Sequence, residues 1–259
     1  KREFVHKFGS YKDVFITSNS VYTIEICSNH IFCMKKDVFA NLFMIEDCSN
    51  IVVPHNIYYA ENILFQNMEI FDVDLFDYMI ELHVNEYNTY EETIDILVRN
   101  ITSGLLQLFS FGIFITDLKP ENILIKTGIT PSFYLADLED SYLECKLLSN
   151  DLYANNEVVR NNFVTKTKIN WIRTKDYCPD DIKPLCPMLA KRNICYALSK
   201  IIVMYTCVVG YGVDTVDADD NIMNEKYIQE CLYFMETLPI KKVDDFIREL
   251  YNKSRIVKL

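Results

Sequence analysis

From Lys12 to Lys36 short β-branched and aromatic runs alternate with polar breaks. Val14-Phe15-Ile16-Thr17, Val21-Tyr22-Thr23-Ile24-Glu25-Ile26 and Ile31-Phe32-Cys33-Met34 are separated by Ser18-Asn19-Ser20 and Ser28-Asn29-His30. Runs of this kind predict a three-stranded antiparallel meander. Val38, Phe39, Leu42, Phe43 and Ile45 then predict a short helix within 37–47. The next extended runs are Ser49-Asn50-Ile51-Val52-Val53 and Ile63 to Phe71. Thr89 and Glu92 form a capping box that opens a long helix. Its apolar positions Ile94, Leu97, Val98, Ile101, Leu105, Leu106, Leu108 and Phe109 keep helical spacing, and Gly112 stops it. A further helix is expected over Lys241 to Tyr251.

After Gly112 the chain reads Ile113-Phe114-Ile115-Thr116-Asp117-Leu118-Lys119-Pro120-Glu121-Asn122-Ile123-Leu124-Ile125, an apolar lead-in, a polar knot and an apolar exit. Buried flanks would present Asp117, Lys119 and Asn122 together from a short, fixed loop, which is how catalytic groups are commonly held. A lone Asp and Asn in such a turn could equally bond nearby backbone. A second knot follows the strand Phe133-Tyr134-Leu135, in Ala136-Asp137-Leu138-Glu139-Asp140. Carboxylates at a strand end suit Mg²⁺, which takes hard oxygen ligands, commonly one or two carboxylates plus substrate phosphates.

Composition narrows the picture. With 259 residues the chain fits one large domain or two closely packed lobes. Half the residues are hydrophobic, so a packed core is expected rather than disorder. A net charge of -11 argues against a generic nucleic-acid or anionic-membrane binder. The nine cysteines include no C-x-x-C pair and are odd in number, which reads as reduced core thiols in an intracellular compartment, cytoplasmic or nuclear. The most apolar run, Ile201 to Val209, is too short to span a bilayer, and no signal peptide opens the sequence, so membrane insertion is not expected.

The run Asp117-Leu-Lys-Pro-Glu-Asn-Ile-Leu124 resembles the H-R-D-L-x-x-x-N catalytic loop of eukaryotic-type protein kinases, with Ile115 and Thr116 in place of the His and Arg. Asp137-Leu138-Glu139 resembles the D-F-G segment. The resemblance implies an α+β, two-lobed fold, with a small antiparallel-sheet lobe over 1–70 and a larger, mainly helical lobe over 71–259. It implies ATP and Mg²⁺ (or Mn²⁺) as cofactors. Asp117 would orient or deprotonate the acceptor hydroxyl, Lys119 would stabilise charge on the transferred group, and Asn122 with Asp137 would hold metal. Glu139 departs from the family's glycine; in small-molecule kinases of the aminoglycoside and choline type a second acid here helps hold metal.

Lys35, closing the third run, resembles the lysine of V-A-I-K and is nominated for the α- and β-phosphates. A second alignment puts Val21-Tyr22-Thr23-Ile24-Glu25 on that motif and replaces the lysine by Glu25. Glu46 is the only glutamate in the helix that follows, and so stands as partner for Lys35. Met68 falls at the gatekeeper position, with the backbone of Glu69, Ile70 and Phe71 at the adenine edge. Ile16 to Tyr22 takes the place of the glycine-rich turn but has no glycine. Residues 141–176 match an activation segment and Cys178-Pro179-Asp180 matches A-P-E, with Arg255 as partner of Asp180. Tyr196 to Ile202 resembles the central buried helix, with Ile194 or Asn193 where the family has Asp.

Function follows as three expectations. The first is a divergent serine/threonine kinase acting on a protein hydroxyl, with basic targets favoured by the chain's acidity. The second is a pseudokinase serving as a binding scaffold, and the third is a small-molecule kinase.

Overall fold

The computed structural model describes residues 5–8, 12–46, 49–84, 90–147, 149, 174–179, 186–216, 221–239 and 242–255. It is a mixed α+β structure. The first sheet is antiparallel throughout, built from β1 (Val5–Phe8), β2 (Lys12–Ile16), β3 (Val21–Ile26), β4 (Asn56–Ala60) and β5 (Ile63–Met68) in the order β1-β2-β3-β5-β4. β4 and β5 are joined by Glu61-Asn62, both at positive φ (52° and 66°), the two-residue geometry whose twist matches paired strands. Register sets the two faces, because side chains alternate along a strand. Lys12 lies opposite Glu25, Val14 opposite Thr23, and Thr23 opposite Gln66. These form the inner face, where Thr23, Leu64 and Gln66 are buried.

That inner face meets helix α1 (Asn29–Leu42), and here the sequence reading needs correction. Ile31–Met34 lies within the first two turns of α1 and is not a third strand. A four-residue apolar run cannot distinguish strand from helix; the longer pattern Ile31, Lys35, Val38, Phe39, Leu42 can, and it has helical spacing. Ser28, read as part of a strand break, is the helix N-cap, its side chain accepting the Ile31 N–H at 3.4 Å.

After β5 the chain passes through β6 (Val73–Asp74) and α2 (Leu75–Val84) to α3 (Tyr90–Ser110). Thr89 of the expected capping box lies outside the described residues. α3 is the long helix its spacing calls for; Leu97, Val98, Ile101, Leu105 and Leu108 are all buried. β7 (Ile113–Phe114), β8 (Ile123–Lys126), β9 (Ser132–Leu135) and β10 (Tyr142–Leu143) follow. β6-β8-β9 make one small antiparallel sheet and β7-β10 another. Three helices complete the described chain: α4 (Pro187–Tyr205), α5 (Ile228–Thr237) and α6 (Val243–Ser254).

Helix α4 continues as a π-helical turn through Tyr211, giving 25 residues whose most apolar 18-residue stretch has a mean hydropathy of 1.6. That is longer than the run Ile201–Val209 suggests, and long and apolar enough to cross a membrane. Its Leu198, Ile201, Ile202 and Tyr205 are buried in the main core, which is the behaviour of a central core helix. The eight cysteines among the described residues are free thiols, five of them buried.

One glycine decides how closely α3 approaches β9, the strand that delivers Asp137. A Cβ on Gly104 would lie 2.8 Å from Leu135 Cδ1 and 2.9 Å from the Asn50 carbonyl. The Asn50 backbone is fixed in turn: its carbonyl accepts the Leu135 N–H at 2.9 Å, and the Val52 N–H bonds the Leu135 carbonyl at 2.8 Å. Gly104→Ala should therefore destabilise the fold by about 1–2 kcal/mol, because overpacking outweighs the helix-propensity gain of about 1 kcal/mol. Urea unfolding checks this, and a stabilised variant would mean that β9 can retreat without cost.

Candidate functional site

The polar knot is held as its sequence implies. Ile113, Ile115, Leu118, Ile123 and Ile125 are buried on either side of it. Gly112 turns the chain at φ 65°, and a Cβ there would lie 3.1 Å from that of Glu144, so there is little room for a side chain. Pro120–Asn122 makes one 3₁₀ turn. Asp117 and Lys119 form an ion pair at 2.9 Å. The Thr174 N–H donates to Asp117 Oδ1, and Lys119 Nζ donates to Thr174 Oγ1 at 3.1 Å. Asn122 donates its side-chain N–H to the Asp117 main-chain carbonyl at 2.8 Å, which leaves its Oδ1 as the oxygen able to face a cation. Ile115 and Ile194 both enter the main apolar core.

The second knot is tied to the first. The Ala136 N–H bonds the Asn122 carbonyl at 2.9 Å, fixing Asp137 beside the loop. Asp137 adopts φ 58° and ψ 45°, a left-handed conformation that Asp tolerates better than bulkier residues and that recurs at functional sites. Its carboxylate is met by Lys12 Nζ from the start of β2. Lys12 also reaches Glu139 Oε1 at 2.9 Å, and Gln66 donates to the same oxygen at 3.0 Å.

A second lysine serves the adjoining acids. Lys35 is only 3% exposed and its Nζ lies 2.8 and 2.6 Å from the two oxygens of Glu25 and 3.3 Å from Asp140 Oδ2. Lys35 is thus not the strand lysine. Glu25 lies on β3 and Lys35 on α1, so in the observed pair the strand supplies the carboxylate and the helix the cation. Glu46, expected as the partner of Lys35, is exposed beyond the end of α1 and takes no part. The physical cause is the run Ile31–Met34, which as a strand would displace the helix and its register together.

Charge and burial set the protonation of these acids. Burial would raise the Glu139 carboxyl, but Lys12 and Lys35, with the Gln66 hydrogen bond, hold it down at about 2. Asp137 is raised by burial and by Glu139, against the pull of Lys12. Asp140 is raised to about 6, by burial first, with Lys35 opposing and Glu139 and Glu25 adding to the rise. A carboxyl whose folded pKa exceeds its unfolded value imposes no cost below the unfolded value, near 3.8, and a growing cost as pH rises through about 6. Asp140→Asn should match the wild type near pH 3.5 and exceed it by on the order of 2 kcal/mol at pH 7.5. Urea titrations at the two pH values test this; a variant less stable at pH 7.5 would show that the Lys35 contact dominates.

Met68 ends β5, and Glu69, Ile70 and Phe71 form the connector to β6. The exposed Glu69 pairs with Lys126, while Phe71 meets Tyr134 edge-on at 5.1 Å, so the connector is fastened to β8 and β9. Most of the activation-segment match, 150–173, and Asp180, the expected partner of Arg255, lie outside the described residues. Among the described residues no three His, Cys, Asp or Glu side chains cluster closely enough to hold a metal by themselves. Asn122 Oδ1 and the Asp137 carboxylate would need phosphate oxygens to complete a shell, which is the usual way Mg²⁺ is held.

No family model matches this chain, and no curated protein matches it. The site must be judged on its own geometry. On that basis Asp117, Lys119 and Asn122 are joined by a side-chain ion pair and a side-chain-to-backbone bond, the Ala136 N–H holds Asp137 beside them, and Glu139 is the acid shared by Lys12 and Gln66. The residues missed from sequence are Lys12, Gln66, Asp140 and Thr174. A signal for Lys12 existed: it shares a period-two face with Val14 and Ile16, and it directly follows Gly9-Ser10-Tyr11. β1 precedes that stretch, so the β1–β2 connection, not Ile16–Tyr22, is the first of the sheet. Residues 9–11 lie outside the described residues.

Proposed function

We propose that this chain is a divergent serine/threonine protein kinase with a two-lobed arrangement, the sheet and α1 above and the helical part below. It transfers the γ-phosphoryl group of ATP to a protein hydroxyl. The observation that carries this reading is the bonded set at the two knots: Asp117 oriented by Lys119 and the Thr174 N–H, Asn122 tied to the Asp117 carbonyl, and Ala136, the residue before Asp137, bonded to the Asn122 carbonyl. Asp117 has one oxygen on a backbone N–H and the other on Lys119, which fixes the carboxylate while each oxygen keeps a lone pair for a substrate hydroxyl. Lys119, bridged to Thr174, is placed to offset charge developing on a transferred group beside Asp117.

The donor chemistry fits a magnesium nucleotide. Asn122 Oδ1 and Asp137 would hold the metal, which when bound would supply charge neutralisation at the phosphates. Glu139 is a poorer candidate ligand, because Lys12 and Gln66 already share its Oε1 and it is 6% exposed. On the inner sheet face the buried Thr23 hydroxyl has no hydrogen-bond partner among the described residues, and a bound polar ligand could satisfy it.

A specific observation favours the scaffold reading as well. Two carboxylates of the metal knot are already neutralised from within, Asp137 by Lys12 and Asp140 by Lys35. The two readings part on one experiment. Incubation with γ-labelled ATP, Mg²⁺ and a basic protein should label that protein, and Asp137→Asn should abolish the label. Absence of both label and any nucleotide-dependent thermal shift supports the scaffold.

A further inference from the structure

We infer that Lys12 grips the nucleotide phosphates in this protein, and that it rests on the metal-site carboxylates until the nucleotide arrives; the inference depends on the nucleotide reading above. Three observations carry it. Position comes first. Lys12 is the first residue of β2, on the inner sheet face, and its Nζ lies on Asp137 and within 2.9 Å of Glu139. Mg²⁺–oxygen distances are about 2 Å, so any phosphate oxygen sharing a metal with Asp137 comes within a few ångströms of where that ammonium sits.

Competition excludes the other candidate. Lys35 is buried at 3% exposure, with contacts to both Glu25 oxygens and to Asp140. To reach a phosphate it would have to abandon three oxygens and leave Glu25 and Asp140 unpaired in a desolvated site. Lys12 keeps 24% of its side chain exposed, and its Asp137 partner keeps 37%. It can exchange one oxygen for another without crossing the sheet.

Charge is the third observation. Glu25 stands on the inner face, directly across from Lys12 in the β2–β3 register. Lys35 already serves Glu25 and Asp140, so without Lys12 a triphosphate entering here would meet Asp137 and Glu139 unpaired by any cation. Lys12, partly exposed and paired with Asp137 and Glu139, is the strand cation that the described inner face offers to it. At rest the same ammonium occupies the place a divalent ion would take on Asp137. Metal and nucleotide should therefore bind together: the phosphates draw Lys12 off the carboxylate that the metal then takes.

The test uses the full chain and compares a non-hydrolysable ATP analogue with adenosine, by calorimetry with Mn²⁺ present. Lys12→Met should weaken the analogue by about 10- to 100-fold, the scale of one charge-assisted contact, and leave adenosine within about 3-fold. With Mn²⁺ alone, Lys12→Met should gain a larger thermal shift than the wild type, since the resident cation is gone. Because Lys12→Met uncovers two acids, the comparison is repeated in a Glu139→Gln background, which restores charge balance if the single variant folds poorly. Equal affinity of wild type and Lys12→Met for the analogue overturns the inference and leaves the kinase reading standing. Equal loss for adenosine and analogue also overturns it, by showing a structural role. A wild type that binds neither ligand overturns the kinase reading and this inference with it.

Discussion

Asp117→Asn should lower phosphoryl transfer by about 10²- to 10⁴-fold while leaving nucleotide affinity within a few-fold. The asymmetry follows from where Asp117 is anchored. Its oxygens face Lys119 and the Thr174 N–H, on the acceptor side, and not Lys12 or the Asp137 knot. Asn preserves shape and one accepting oxygen but cannot take a proton, so the loss should fall on kcat rather than on nucleotide binding. The fold should tolerate it, because the loop is held chiefly by buried Leu118, Ile115 and Ile123. Thermal unfolding alongside the rate measurement separates the two effects. A variant with unchanged kcat would remove Asp117 from the chemistry.

Lys35→Met should cost about 3–5 kcal/mol of folding stability, the range for removing one partner of a buried ion pair. Lys35 sits among Glu25, Asp140 and Glu139, and its ammonium is held charged by them despite the burial that opposes it. Without it three acids face one another across a desolvated space between β3, α1 and the segment after Asp137. Adding Glu25→Met should restore at least half of the loss, since a neutral, packed pair removes the repulsion at its source. Equilibrium urea unfolding of the single and double variants measures both effects. If Glu25→Met gives no recovery, the pair is not coupled and the Lys35–Glu25 arrangement has no energetic weight.

The apolar pattern carries most of the architecture. Helix α3, strands β2, β3, β5 and β9, and the buried flanks of the Asp117–Asn122 loop are all readable from periodicity, because each is long or strongly alternating. Helix α1 is not, since Ile31–Met34 is too short to reveal a period and its N-cap, Ser28, looks like any polar break. That single ambiguity moves Lys35 onto a strand and nominates Glu46. The true pairing depends on register between β2 and β3 and on the rotation of α1, which only the folded chain defines. Asp117, Lys119, Asn122 and Asp137 are legible because one local run carries three of them and a strand end carries the fourth. For Lys12 only the face is legible, from its period-two spacing with Val14 and Ile16; its partner Asp137 lies 125 residues away, which no local spacing can indicate.

The central claim is that the two knots together form a phosphoryl-transfer site for protein hydroxyls. It is tested most directly by a single-turnover reaction of the wild-type chain with γ-labelled ATP and Mg²⁺, offered a basic Ser/Thr peptide and, separately, choline and an aminoglycoside. Label on a peptide hydroxyl, dependent on Asp117, is the expected result. Label on the small molecules alone, or none on any acceptor while nucleotide still binds, would contradict the claim.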